Sequence, residues 1–187
     1  MFEITVIVYP TQKEKVVFAC DEIYFLKYGI YNILSCNKVG HNVHVHVINP
    51  TDKTFAEFEK IKNIVTIDLS LTVNKIDLQD WPLRTFYFFC RFFVTHWLLK
   101  NTEVEIAYVV DTDVIFRKAL ELQTDKTFGA IHHPEKNQPW RKINGNFYFF
   151  KKASVSFLEK VIARYITKVT SIDFNQIHSA MTKDDLG

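Results

Sequence analysis

Runs rich in Val and Ile alternate with helix-spaced runs along most of this 187-residue chain, and that alternation constrains its fold more than any other feature. "EITVIVY" (3–9) predicts a first strand, stopped by Pro10. "CDEIYFLKYGIYNILSCNK" (20–38) has helical spacing at Ile23, Leu26, Ile30, Ile33 and Leu34. "NVHVHVINP" (42–50) alternates and predicts a second strand, on which His44 and His46 make a polar strip beside a helix rather than a metal pair. Thr54 and Glu57 form a capping box opening the helix "FAEFEKIKNI", and "VTIDL" (65–69) predicts a third strand. An aromatic helix over about 83–100 and the strand "EIAYVVDTDVIF" follow. "FGAIHHP" (128–134) and "NGNFYFFKK" (144–152) predict strands; "SVSFLEKVIARYITKV" (154–169) and "DFNQIHSAM" (173–181) predict closing helices. Strands alternating with helices imply an α/β fold: a mainly parallel, Rossmann-like sheet with helices on both faces. Ligands of such sheets gather outside the carboxyl ends of the strands.

The length suits a single domain with a sizeable core, and 48% hydrophobic against 24% charged residues is a globular balance. A net charge of +2 is too small to argue for nucleic-acid or anionic-membrane partners. Cys20, Cys36 and Cys90 cannot pair completely and show no ligand spacing, which predicts a reducing, cytoplasmic location. "MFEITVIVYP" lacks a basic stretch and a cleavage site, so it reads as a strand rather than a leader. The longest apolar stretch is interrupted by Arg84, Arg91 and His96 and predicts no transmembrane helix.

Against this background Asp111 and Asp113 stand out, because they close the apolar run "IAYVV". On a strand they would share one face, with Thr112 opposite. Like charges that close repel unless a cation lies between them, and oxygen-only ligands suit a hard ion such as Mn²⁺ or Mg²⁺. A solvated turn is the plainer alternative. In the aromatic helix, Arg84, Arg91 and Thr95 fall within about 40° of one another and form a narrow polar stripe, directed at a cleft or at solvent.

"IAYVVDTDVIF", preceded by a helix carrying Arg91 and followed by "INGNFYFFKK", resembles the DxD region of GT-A-fold glycosyltransferases. It is most similar to the retaining group of glycogenin-like and lipopolysaccharide galactosyl- and glucosyltransferases. The resemblance implies a hexosyltransferase: a nucleotide-sugar-binding domain over 1–187, minimal at its C-terminus, that moves a sugar from a UDP-sugar to a carbohydrate or protein acceptor. It also implies that Asp111 and Asp113 hold Mn²⁺ against the diphosphate, and that Arg91 contacts the donor or the DxD motif. Asn144 and Gly145 match the family's strand beside the donor sugar, though "NG" is also an ordinary turn. Asn175 and Gln176 match the catalytic "DQ" at the anomeric carbon, with an amide in place of the acid; Asp173 and Gln176 alternatively form a capping box. A third metal ligand falls to His132, His133 or His178, and "HHPEKNQPWR" adds Trp140 and Arg141 beside the expected cleft. Tyr9 and Asp21 or Glu22, after the expected first strand, are candidates to cradle the base in the way the resemblance implies, either acid alternatively capping the next helix.

Two other readings remain open. "VVDTDVI" fits the DxDx(V/T) motif of haloacid-dehalogenase-like phosphatases, although three strand units precede it here. A non-catalytic member of the same fold, binding a nucleotide sugar or a partner, is the other.

Overall fold

The computed structural model describes residues 3–76, 83–136 and 143–171, with only the backbone course at 83–85, 143–144 and 168–171. The chain begins with strands β1 (Thr5–Val8) and β2 (Glu14–Asp21). A short helix α1 (Glu22–Tyr24) passes through one π turn (Phe25–Gly29) into α2 (Ile30–Val39). Then come β3 (Val43–Ile48), α3 (Asp52–Lys62), β4 (Leu69–Asn74), α4 (Leu83–Asn101) and β5 (Ile106–Val110). Strands β6 (Phe128–His132) and β7 (Ile143–Lys151) follow, and a 3-10 turn (Lys152–Ser154) leads into α5 (Val155–Ser171).

All seven strands join one sheet in the order β1-β4-β3-β2-β5-β7-β6. β4, β3, β2 and β5 are parallel to one another, while β1 and β7 run against their neighbours. The fold is thus a mixed α/β sheet, mostly parallel at its centre.

Alternate residues of β2 point to opposite faces and seed two cores. Val16 and Phe18 pack with Ile33, Phe58 and Leu71 on one side. Val17 and Ala19 pack with Phe86, Cys90, Leu98 and Val109 on the other. Each fully buried Phe or Leu of this kind contributes about 1.5–3 kcal/mol. The aromatic helix α4 is held on its outer side as well, since Phe89 stacks on Tyr165 of α5 with ring centres 3.6 Å apart.

Several expected boundaries need correction. The first parallel strand is β2, at a place where the sequence predicted nothing before a helix at residue 20; β1 is instead an antiparallel edge. "VVFAC" is buried throughout, and a strand buried on both faces has no alternation to reveal it. α3 is capped by Thr51, whose hydroxyl accepts from Lys53 N at 3.3 Å, rather than by Thr54. Thr54 lies buried in the first turn and donates to Glu22 at 2.6 Å. That bond, with those from Thr51, pulls the Glu22 carboxyl down to about 2 and ties α1 to α3. β4 begins only at Leu69, where the expected 65–69 strand ends.

His44 and His46 form part of a buried hydrogen-bonded ladder between β3 and β4. His44 meets Ser70 and Thr72 at 3.0 and 2.8 Å, and His46 meets Thr72 and Asn74 at 2.9 and 3.2 Å. Burial holds both rings neutral, pushing His46 down to about 3. At the amino end of β2, the buried Lys15 ammonium lies 2.5 Å from Asp68, and desolvation still draws Lys15 down to about 8. Among the described residues, no helix is long and apolar enough to cross a membrane, and Cys20, Cys36 and Cys90 are buried free thiols.

Candidate active site

β5 ends at Val110 and the chain turns at once. Val114 N donates to Asp111 O at 3.2 Å, closing a β-turn over Asp111–Val114. The same carbonyl accepts from the Asn32 side-chain amide of α2 at 3.3 Å. Asp111 N donates to Asn146 O of β7, also at 3.3 Å. The aspartates therefore ride on a turn braced from two sides, which corrects the expectation that they share one face of a strand. Asp111 is half-buried, Thr112 buried and Asp113 exposed.

All three line a cleft of about 390 Å³ at the carboxyl ends of β2 and β5. β2 continues toward β3 on one side while β5 lies on its other side, so the cleft sits where strand order switches direction. Ala19, Cys20 and Asp21 form one wall; Tyr87, Phe88 and Arg91 of α4 form the other.

Arg91 is buried on α4, and its guanidinium Nη1 donates to Asp111 Oδ1 and, at 3.3 Å, to Gly145 O. The guanidinium lies over the Phe88 ring, 4.7 Å from its centre. Its Nε has no hydrogen-bond partner among the described residues. Of the expected polar stripe, Arg91 faces the cleft. Thr95 is buried and donates back to Arg91 O at 2.7 Å, and the Arg84 side chain lies outside the described residues.

The other predicted residues divide. Asp21 lines the cleft, and its Oδ1 accepts from Tyr24 N at 2.7 Å, capping α1. Gly145 stands beside Arg91, where an added Cβ would come within 3.2 Å of the Phe88 ring; of Asn144 only the backbone is described. Tyr9 is not brought to the cleft. It follows the antiparallel β1, so it emerges at the opposite end of the sheet, where its hydroxyl donates to Asn101 O at 3.0 Å. His132 is exposed at the end of β6, and His133 lies 3.2 Å from Glu135; neither lines the cleft. Trp140, Arg141, Asn175, Gln176 and His178 lie outside the described residues.

Three contributors were not foreseen. Asn32 is a fully buried amide of α2, and a single amide within a helical run carries no signal of that burial. Tyr24 presents an exposed ring at the cleft mouth, and Phe88 underlies Arg91. Cys20 also reaches the cleft, but burial pushes its thiol up to about 12, which removes it as a nucleophile.

The chemistry of the donor set fits a hard cation. Asp111 and Asp113 offer carboxylate oxygens at an open cleft, leaving further coordination positions for phosphate oxygens. Among the described residues, no set of three His, Cys, Asp or Glu side chains gathers at metal-binding separation.

No family profile and no curated protein matches the sequence. Solved structures do match the fold. The apo-form glycosyltransferase GlyE of Streptococcus pneumoniae TIGR4 superposes with a TM-score of 0.56 at 13% identity, over 87% of this chain and 40% of that one. The galactosyltransferase LgtC, in complex with donor and acceptor sugar analogues, gives a TM-score of 0.60 at 12% identity, over 85% of this chain and 66% of that one. The chain thus spans between 40% and 66% of the length of these two structures. It has a GT-A-like α/β fold, the fold of these glycosyltransferases.

Proposed function

We propose that this chain is a metal-dependent glycosyltransferase that moves a sugar from a UDP-sugar to a carbohydrate or protein hydroxyl, with retention of configuration as the family resemblance implies. The observation that carries the reading is the carboxylate pair at the switch-point cleft, one member fixed by a buried arginine. Support comes from the likeness to a galactosyltransferase whose structure holds donor and acceptor sugar analogues.

Asp111 and Asp113 would hold Mn²⁺ or Mg²⁺, which supplies a Lewis acid for the charge building on the leaving diphosphate. Arg91 orients Asp111 and adds positive potential at the cleft wall. Asn32 and Asn146 fix the turn, so the carboxylates need little reorganisation when the donor arrives. The Tyr24 ring at the mouth offers a flat face to a nucleobase. Asn175 and Gln176 take their place beside the anomeric carbon from the resemblance alone; an amide there orients the sugar and takes no proton.

The test is turnover of a panel of UDP-sugars with and without Mn²⁺. Donor hydrolysis or transfer that requires the ion, and that disappears in Asp113→Asn, is the expected result. Full activity in that variant contradicts the metal-binding role.

A further inference from the structure

The cleft leaves one face of the molecule unaccounted for. Within α2, at about 100° per residue, Tyr31, Leu34 and Lys38 fall in one stripe about 60° wide, and Ile23 and Lys27 precede it on α1 and the π turn. Ile23, Tyr31 and Leu34 are 75%, 62% and 37% exposed. Next to it runs the segment after the aspartate turn, tied to α2 where Phe116 N donates to Ser35 Oγ at 3.0 Å. That segment adds Ile115, 55% exposed. Four large aliphatic or aromatic side chains thus stand in solvent on two adjoining segments.

Between residues 22 and 39 the exposed charged side chains are Lys27 and Lys38, and Arg117 and Lys118 follow Ile115. The nearby acids are elsewhere engaged or displaced: Glu22 is held by Thr51 and Thr54, and Asp113 faces the cleft.

We infer that this face docks on an anionic lipid bilayer surface. Exposed aliphatic and tyrosyl side chains bordered by lysines match the headgroup–acyl boundary, where the apolar parts sink in and the ammonium groups reach lipid phosphates. Two other occupants fit less well. A second copy paired about a two-fold axis would bring together two patches of the same positive charge. A carbohydrate platform has no use for Ile23, Leu34 and Ile115. The inference does not depend on the chemistry assigned to the cleft. It also departs from the small net charge of the chain, because the basic residues are clustered rather than numerous.

Vesicle flotation of the full chain tests it, with phosphatidylcholine vesicles compared against vesicles containing about one quarter phosphatidylglycerol. The protein is expected to float with the anionic vesicles and to be released by high salt. Lys27→Gln and Lys38→Gln should each weaken binding about fivefold. Ile23→Ser/Tyr31→Ser/Leu34→Ser should abolish it while leaving circular dichroism and Tm unchanged. Equal binding to both vesicle types, or binding unaffected by these variants, overturns the inference. So does a lipid-free dimer, seen by analytical ultracentrifugation, that the triple substitution dissolves.

Discussion

Arg91 concentrates the tension of the site in one residue, because a buried cation is paired with a carboxylate that the proposed chemistry also uses. The Arg91 and Asp111 side chains are 9% and 27% exposed, so the pair is only partly shielded from water. Arg91→Ala removes the partner of Asp111 and the guanidinium over Phe88. The expected loss is about 1–3 kcal/mol, read by urea denaturation, with turnover reduced at least about tenfold. Arg91→Lys is not expected to rescue it, because an ammonium lacks the planar face that lies over the Phe88 ring. Asp113 is the opposite case. It is exposed, so Asp113→Asn should change stability by no more than about 0.5 kcal/mol while removing donor turnover. The sequence showed Arg91, Asp111 and Asp113 because each is a charge set in an apolar run. It did not show Asn32 or Tyr24, since an amide or a tyrosine within a helical pattern reads as ordinary until the tertiary neighbour is known.

At the level of elements, local signals and tertiary packing agree where amphipathic periodicity is strong and diverge where it is absent. α4 and β7 fall close to the expected ranges, as their apolar runs are long and uniform, whereas β5 stops at Val110 instead of running through the aspartates. β2 was overlooked because complete burial leaves no pattern, and Tyr9 was assigned to the site only because β1 was taken for the first parallel strand. Thr54 carried a capping signature, yet Thr51 caps, because Glu22 arrives from a distant helix to occupy the Thr54 hydroxyl. Close backbone packing was likewise invisible in the sequence. On edge strand β6, a Cβ added to Gly129 would lie 2.3 Å from the Phe149 ring. Gly129→Ala should therefore cost about 1–3 kcal/mol by forcing that ring to move. An unchanged denaturation midpoint would show that β6 does not pack on Phe149 as described.

For the whole molecule, pH and ligand act on the same folding equilibrium. The unfolded chain binds protons at His44 and His46 near the ordinary value of 6.5, whereas the folded chain takes one at His46 only near 3, and His44 is also held well below 6.5. Between those values the unfolded state holds more protons, so the contribution of these two imidazoles to stability is full above about pH 6.5 and declines as pH falls toward 3. Urea midpoints at pH 7.5, 6 and 5 should fall in that order; a flat profile would mean that the imidazoles are not buried neutral. Donor binding should act in the other direction, adding about 2.7 kcal/mol at a hundredfold excess over Kd. The central claim, that Asp111 and Asp113 grip a cation that in turn grips a diphosphate, is tested most directly by calorimetric titration of UDP with and without Mn²⁺. The account predicts binding that requires Mn²⁺ in the wild-type chain and is lost in Asp113→Asn. UDP binding of equal strength without the ion, or undiminished in that variant, would contradict it.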